Sequence, residues 1–234
     1  MGKIVIVRND DGCVGQYISS RLAHLLQNKY VIINAWEGFP QDTETWVLSG
    51  NIKGVILSGS LASVNDSYAW IKEEMSFIGR LINQKIPILG ICFGHQLIGK
   101  FFGVAVERNI LRSGLIELNL NKEDVLFKGI ANLMMPVSHN EHVTELPKGF
   151  ELLATSDYCK IQAMKKTDMD VYGIQFHPCY NENVEQIKEL GITNLNYGEH
   201  EGAKVLHNFV TLVCNNKSLN YNFILSSDIS QMFC

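Results

Sequence analysis

The sequence predicts an α/β fold in which a mostly parallel central sheet carries helices on both faces. Over the first hundred residues, short β-branched or apolar runs alternate with segments whose apolar residues recur at helical spacing. That alternation is typical of a parallel sheet covered on two sides. From about residue 115 to 176 strand patterns dominate, which predicts a smaller antiparallel portion. The length of 234 residues and the 46% hydrophobic content suit one large domain.

Local patterns predict the elements of the first half. The segment Lys3–Arg8 is a β-branched run followed by the turn residues Asn9-Asp10-Asp11-Gly12, which indicates a buried strand. Apolar residues at helical spacing then predict a helix over 14–26. The same two criteria predict strands at 30–34, 55–57 and 87–91, and helices at 68–83 and 94–102.

The second half contains several strand candidates and one clear helix. The segment 115–120 partly alternates, and further strands are expected at 151–155, 160–164 and 171–176. A helix is predicted over 201–213, because Val205, Phe209 and Leu212 fall on one face. Residues 1–214 are therefore assigned to one domain, and the tail 215–234 is left unassigned.

Composition excludes several classes of function. The net charge is -4 and no Lys/Arg cluster occurs, which argues against nucleic-acid binding. No apolar run approaches the ~20 residues that cross a bilayer, and the N-terminus carries no secretory pattern. We therefore expect a cytoplasmic protein with reduced thiols. The six cysteines form no CxxC pair, which argues against a zinc ribbon. No cofactor is predicted.

The strongest local signal is Gly90-Ile91-Cys92-Phe93-Gly94, between a predicted strand and a predicted helix. It is the cysteine analogue of the nucleophile elbow, a sharp turn that lifts the nucleophile clear of the sheet. Glycines two residues before and after it relieve crowding. The helix N-terminus that follows favours the thiolate, so Cys92 is the predicted nucleophile. A buried structural cysteine in an ordinary turn is the alternative.

A histidine at a strand end supplies the matching base. His177 follows the strand 171–176, and Pro178 cannot continue the ladder. A histidine there can face a cleft and take the proton of a thiol on a neighbouring strand. A packed or surface histidine is the alternative for His177, and a metal site built on His139 and His142 is a separate, weaker possibility.

Taken together, these segments resemble the class-I (triad) glutamine amidotransferases, most closely the GMP synthetase branch. The resemblance rests on residues 90–96 and 173–178, with further similarity at 55–60, 138–143 and 149–156. It implies a flavodoxin-like fold and a Cys-His-Glu triad in which Cys92 attacks glutamine and His177 transfers the proton. It also implies an oxyanion hole formed by the backbone of Phe93, Gly59 and Ser60, and substrate contacts from Gln96, Ser138 and His139.

The chain departs from the family pattern beside the predicted chemistry. Where the family has His-Pro-Glu, this chain has Cys179 at the acid position, and Glu182 is the candidate substitute. The family's Gly-Gly-Pro oxyanion loop is replaced by Gly59-Ser60-Leu61, and serine fits badly if that position needs a positive φ. An insertion is expected at about 180–198.

The sequence motifs leave three functions open. The first is a glutaminase subunit that passes ammonia to a separate synthetase of the ATP-pyrophosphatase type, because the chain shows no P-loop and no synthetase domain. The second is a catalytically weakened or silent relative that binds or regulates. The third is a γ-glutamyl hydrolase.

Overall fold

A computed structural model describes residues 2–10, 30–180 and 200–215. The predicted helix at 14–26, the candidate acid Glu182, most of the expected insertion and nearly all of the tail lie outside these ranges. Ten strands are described: β1 Lys3–Arg8, β2 Tyr30–Asn34, β3 Ile52–Leu57, β4 Ile88–Ile91, β5 Val106–Glu117, β6 Asn119–Leu120, β7 Met134–Val143, β8 Phe150–Thr155, β9 Ala163–Lys166 and β10 Val171–Ile174. The described α-helices are α1 Thr43–Gly50, α2 Ala69–Asn83, α3 Phe93–Phe101 and α4 Gly202–Asn208, which continues as a π-helical turn over Phe209–Val213. Short 3-10 helices cover Ala35–Glu37 and Val125–Phe127.

Eight of these strands form one mixed sheet in the order β2-β1-β3-β4-β10-β9-β8-β6. The five strands from β2 to β10 are parallel, and β9, β8 and β6 extend the sheet in antiparallel fashion. β5 and β7 pair antiparallel in a separate two-stranded ribbon. The predicted α/β class, with a mostly parallel sheet and a smaller antiparallel portion, is confirmed.

Both faces of the four inner parallel strands, β1, β3, β4 and β10, are largely buried, which explains their mostly apolar sequences, whereas the edge strand β2 is half-exposed. In β1, Ile4 and Ile6 join one core cluster, while Val5 and Val7 join the other. The first cluster lies against α4 and the second against α2 and α3. β4 and β10 are adjacent in register in the middle of this sheet, from Val171 opposite Ile88 to Ile174 opposite Ile91. The carboxyl ends of two central strands therefore deliver their loops to one point.

Several elements differ from the sequence prediction. β9 begins at Ala163, so most of the predicted strand at 160–164 is loop. The long ribbon β5–β7 was predicted only in its 115–117 part, because β5 is mostly exposed and does not alternate clearly. α1 was not predicted, although Asp42 gives the sequence signal of a helix start: its carboxylate accepts a hydrogen bond from the Thr45 backbone N–H at 3.1 Å.

Candidate active site

The turn between β4 and α3 has the geometry of a nucleophile elbow. Cys92 lies at φ 52° and ψ −102°, a conformation that costs a non-glycine residue free energy. Its backbone N–H donates to the Ile174 carbonyl at 2.8 Å, which fixes the turn to β10. A Cβ at Gly90 would lie 2.4 Å from the Gly94 carbonyl oxygen, and one at Gly94 would lie 2.5 Å from the Leu57 oxygen. Both glycines are therefore required sterically.

His177 and Cys92 meet beside Gly59. A Cβ built on Gly59 would lie 3.2 Å from the His177 Cε1 and 3.7 Å from the Cys92 Cβ. Both residues are buried, at 2% and 6% exposure. The three strands that end here, β3, β4 and β10, thus bring together the predicted nucleophile, the predicted base and the predicted oxyanion loop.

The His177 ring is held in one orientation by two contacts. Its Nε2 donates to the Ser138 carbonyl oxygen at 3.4 Å, so Nε2 carries the proton. The ring stacks on Tyr180 with centroids 4.2 Å apart and planes 8° apart. Nδ1 is buried and accepts no hydrogen bond from the described residues. Burial, followed by the proximity of His139, lowers the pKa of His177 to about 3, so the imidazole is neutral.

A carboxylate does not orient this imidazole within the described part of the chain. Cys179, at the family's acid position, is buried at 1% exposure. The Ser138 carbonyl is the one described hydrogen-bond partner of the ring. The described residues therefore provide a neutral orienting group where the family resemblance implied an acid, and Glu182 lies outside them.

The Cys92 thiol is neutral at rest. Burial raises its pKa to about 12, and the negative charge of Glu141 acts in the same direction. The Phe93 backbone N–H and the Gln175 carboxamide lie next to the sulfur and lower the pKa. The resting pair is therefore a thiol and a neutral imidazole, in contrast to the thiolate that the helix N-terminus alone would favour.

The segment Ser58-Gly59-Ser60-Leu61, called here the oxyanion loop, adopts a conformation that accepts serine. Among the described non-glycine residues, positive φ occurs at Asn51, Lys85 and Cys92, and not at Ser60. The Ser60 hydroxyl donates to the Asn9 carbonyl at 2.7 Å and accepts from the Ala62 N–H at 3.1 Å. The expected misfit of serine at this position therefore does not arise.

A cavity of about 210 Å³ opens above Cys92. Its wall includes the predicted residues Ser60, Gln96, Ser138 and His139. The carboxamide of Gln96 is engaged in structural hydrogen bonds there, since its Nε2 donates to the Glu141 carbonyl at 2.8 Å and to the Gln175 Oε1 at 3.3 Å.

His139 lies within β7 and is fully engaged. Its Nδ1 donates to the Glu141 carbonyl at 2.8 Å and its Nε2 accepts from the Tyr158 hydroxyl at 3.0 Å. Burial lowers the pKa of His139 to about 4. Both ring nitrogens are thus occupied, and the described residues contain no cluster of three metal-ligating side chains.

Sequence reasoning assigned no role to two charged residues of the cavity wall, Glu141 and Arg108. The Glu141 carboxylate accepts from the Ser63 hydroxyl at 2.9 Å and from the Arg108 Nη2 at 3.4 Å. It is buried, whereas the Arg108 side chain is 71% exposed. Glu141 belongs to the segment 138–143, which resembles the family. Nothing in the sequence indicated that Arg108 would lie opposite Glu141 on the β5–β7 ribbon.

The fold and the site define a class of protein, and comparison with known proteins agrees. A family model for class-I glutamine amidotransferases matches residues 13–189. The chain therefore belongs to the class-I glutamine amidotransferases, as its motifs predicted. It is 36% identical over 178 residues to a subunit of glutamine-hydrolyzing GMP synthase from Methanocaldococcus jannaschii, covering 74% of this chain and 87% of that protein.

Another relative and two solved structures are also glutamine amidotransferases or a subunit of a glutamine-hydrolyzing GMP synthase. The GMP synthase subunit of the same name from Methanosphaera stadtmanae is 45% identical over 132 residues, which cover 55% of this chain and 66% of that protein. A glutamine amidotransferase structure from Thermotoga maritima has a TM-score of 0.65 at 19% identity and covers 77% of both chains. One from Methylobacillus flagellatus has a TM-score of 0.64 at 14% identity, covering 89% of this chain and 94% of that one. These two structures establish the fold alone.

None of the described helices is long and apolar enough to span a membrane.

Proposed function

We propose that this protein hydrolyses glutamine at Cys92 and delivers the ammonia to a separate synthetase subunit. The observation that carries the proposal is that Cys92 and His177 both lie beside Gly59, and that Cys92 lines an open cavity. The buried Nδ1 of His177 is unprotonated and accepts no hydrogen bond from the described residues. It is the proton acceptor that a thiol nucleophile requires.

In the first half-reaction, the Cys92 sulfur attacks the side-chain amide carbon of glutamine as its proton moves to His177 Nδ1. The negative charge that develops on the amide oxygen is stabilised by the backbone N–H groups of Phe93 and of the Gly59-Ser60 turn. When the tetrahedral intermediate collapses, the carbon–nitrogen bond breaks. His177 returns its proton to the leaving nitrogen, so ammonia departs and a glutamyl thioester remains on Cys92.

In the second half-reaction, water attacks the thioester and His177 again accepts the proton. The carbon–sulfur bond breaks, the sulfur regains a proton, and glutamate is released. The Ser138 carbonyl keeps the Nε2 proton in place throughout, so Nδ1 is the nitrogen that exchanges protons. A neutral carbonyl stabilises the imidazolium less than a carboxylate does, so we expect slow turnover in the isolated protein.

The charges on the cavity wall suit free glutamine. The amino acid carries an ammonium and a carboxylate at its α-carbon, and the wall presents the Glu141 carboxylate beside the Arg108 guanidinium. We propose that Glu141 binds the α-ammonium and that Arg108 binds the α-carboxylate. Charge-assisted hydrogen bonds of this kind contribute roughly 1.5–3 kcal/mol each.

The proposed partner follows from the matched relatives. Several are named as one subunit of a glutamine-hydrolyzing GMP synthase, which implies a second subunit in those proteins. We propose that this chain serves a GMP synthase in the same way, and that the recipient of its ammonia is a subunit of the ATP-pyrophosphatase type.

Ammonia release from glutamine tests the proposal. It is measured for the wild type, for Cys92→Ala and for His177→Ala, each with and without the synthetase subunit of the same organism. We expect slow release by the wild type on its own, faster release with the partner present, and none from Cys92→Ala. Release that survives Cys92→Ala, or that is not accelerated by any synthetase subunit, contradicts the proposal.

A catalytically silent binding relative is the second candidate. It is favoured by the neutral thiol–imidazole pair and by Cys179 at the acid position. It predicts that the protein binds glutamine, measured by calorimetry, while ammonia release stays at the level of Cys92→Ala with and without the synthetase subunit.

A further inference from the structure

One buried residue, Asn9, is bonded to the oxyanion loop on both sides of Gly59, through its side chain and its backbone. Asn9 follows β1, and its Nδ2 donates to the Ser58 carbonyl at 3.1 Å. Its backbone N–H donates to the Ser58 hydroxyl at 3.0 Å, and its carbonyl accepts from the Ser60 hydroxyl at 2.7 Å. The loop is therefore attached to Asn9 on either side of Gly59.

The Asn9 carboxamide is held in turn by Glu74 from α2. The Asn9 Nδ2 donates to the Glu74 Oε1 at 3.1 Å. Glu74 is fully buried, and burial raises its pKa to about 8, so the carboxyl is predominantly neutral at pH 7. The Asn9 Nδ2 thus has two buried acceptors, the Ser58 carbonyl and the Glu74 carboxyl, and these two bonds orient the carboxamide.

The position of this loop matters because Gly59 lies beside both reacting side chains. A Cβ there would contact the His177 ring and the Cys92 Cβ at 3.2 and 3.7 Å. The Ser58 carbonyl that Asn9 binds also accepts from the Gly94 N–H at 3.2 Å, in the first turn after the nucleophile. A shift of the loop would therefore move the oxyanion donors relative to the sulfur.

We infer that Asn9, held by Glu74, is a positioning residue that sets the Gly59-Ser60 turn for stabilisation of the oxyanion. The inference rests on the proposed glutaminase function. It also gives Ser60 a reason to be serine, since the hydroxyl supplies one of the bonds to Asn9.

Asn9→Ala is the direct test, at pH 7. Removing the carboxamide should lower kcat for ammonia release about 10- to 100-fold, because loss of one oxyanion donor typically costs about 10²- to 10³-fold and the turn is here loosened rather than removed. KM for glutamine should change less than about 3-fold, since Asn9 does not line the cavity. Alkylation of Cys92 by iodoacetamide needs no oxyanion hole, so its rate should be unchanged.

Two further variants separate positioning from general stability. Glu74→Gln keeps the acceptor for Asn9 and should retain kcat within about 3-fold, whereas Glu74→Leu should resemble Asn9→Ala. Asn208→Ala is the matched control, because Asn208 is also a buried asparagine whose Nδ2 donates to two backbone carbonyls, those of Leu126 and Lys128. It should lower the melting temperature without lowering kcat.

Amide hydrogen exchange of the peptide covering 57–63 keeps this inference separate from the proposed function. Exchange there should be faster in Asn9→Ala than in the wild type or in Asn208→Ala, whether or not the protein releases ammonia. An inactive wild type with this exchange pattern would refute the glutaminase and leave the structural role of Asn9 standing. Unchanged exchange in Asn9→Ala, or an unchanged kcat in an active protein, overturns the inference.

Discussion

Burial decides the charge state of the two reacting side chains. A helix N-terminus and two nearby donors favour a thiolate at Cys92, yet removal from water outweighs them and raises the thiol pKa to about 12. Burial also lowers the His177 pKa to about 3. Desolvation opposes the charged form of either group, so an ion pair is not the ground state. Proton transfer must therefore accompany attack on the substrate.

This charge state predicts an unusual pH profile for the thiol. In the absence of glutamine, alkylation of Cys92 by iodoacetamide should be slow at pH 7 and should rise with pH beyond 9, because only the thiolate reacts. The adduct is followed by peptide mass spectrometry, with Cys92→Ala as the blank. A rate that is already constant between pH 5 and 8 would reveal a resting thiolate–imidazolium pair instead.

Cys179 stands where the family resemblance implies the acid of the triad. Because the Ser138 carbonyl already accepts the His177 Nε2 proton, the Cys179 thiol is not needed to orient the ring. Cys179→Ala should therefore keep kcat for ammonia release within about 3-fold of the wild type. For comparison, a triad that loses its acid slows by about 10⁴-fold in a serine protease. A loss of that order here would show that the thiol acts on the imidazole.

The β5–β7 ribbon is the element that gives the cavity its charges. Arg108 stands opposite Glu141 in the ribbon register, followed by a bulge before Arg112 pairs with His139. Arg108 lines the cavity, whereas the Arg112 guanidinium lies over the Tyr158 ring at 5.4 Å. Two arginines on one strand therefore have different surroundings, and they form a matched pair for experiment.

Arg108→Ala should weaken glutamine binding without slowing the chemistry. We expect KM to rise about 10- to 100-fold with kcat within about 3-fold, which corresponds to one charge-assisted hydrogen bond. Arg112→Ala should leave KM within about 3-fold. Because the Arg108 side chain is 71% exposed, its removal should not destabilise the fold. Equal KM values for the two variants would contradict the assignment of Arg108 to the α-carboxylate.

Strands with a short continuous apolar run were predictable from sequence, and the exposed strand β5 was not. β1 and the half-exposed edge strand β2 were predicted to their ends, and β4 to within one residue, because each contains such a run. β5 is largely exposed, so the hydrophobic pattern that marks a strand is missing. β9 begins three residues later than predicted, because apolar residues before it are buried in a loop.

Parts of the candidate site that form a local motif were predictable from sequence, and contacts between distant residues were not. Cys92 and the glycines around it form a local motif, so spacing was enough to predict them. The contact between the Ser138 carbonyl and His177 joins residues 39 positions apart, and a backbone atom leaves no trace in the residue type. The bonds from Asn9 to Ser58 span 49 positions. Such contacts depend on the order of strands in the sheet, which no local pattern encodes.

Three buried histidines make the stability of the whole molecule dependent on pH. Burial lowers the pKa values of His95 and His177 to about 3 and that of His139 to about 4. Each is neutral in the folded state but takes up a proton near pH 6.5 when unfolded. Their stabilising effect is therefore present above pH 6.5 and is lost as the pH falls toward the folded pKa values.

We therefore predict that the free energy of unfolding falls by several kcal/mol between pH 7 and pH 5. Each histidine should contribute about 2 kcal/mol, since one pKa unit corresponds to about 1.4 kcal/mol. Urea denaturation at the two pH values measures the loss. It should be smaller by roughly one third in His139→Gln and unchanged in His207→Gln, where the histidine is exposed. The same loss in all three proteins would contradict the prediction.

The most direct measurement for the proposed chemistry is labelling with an electrophilic glutamine analogue, followed by peptide mass spectrometry. The analogue enters only a cavity that recognises glutamine and reacts only with a nucleophile at its floor. We predict one adduct, on Cys92, which glutamine blocks and which forms at least about 100-fold more slowly in His177→Ala. An adduct on Cys179 instead, or labelling of Cys92 that neither glutamine nor His177→Ala affects, would contradict the assignment of this pair.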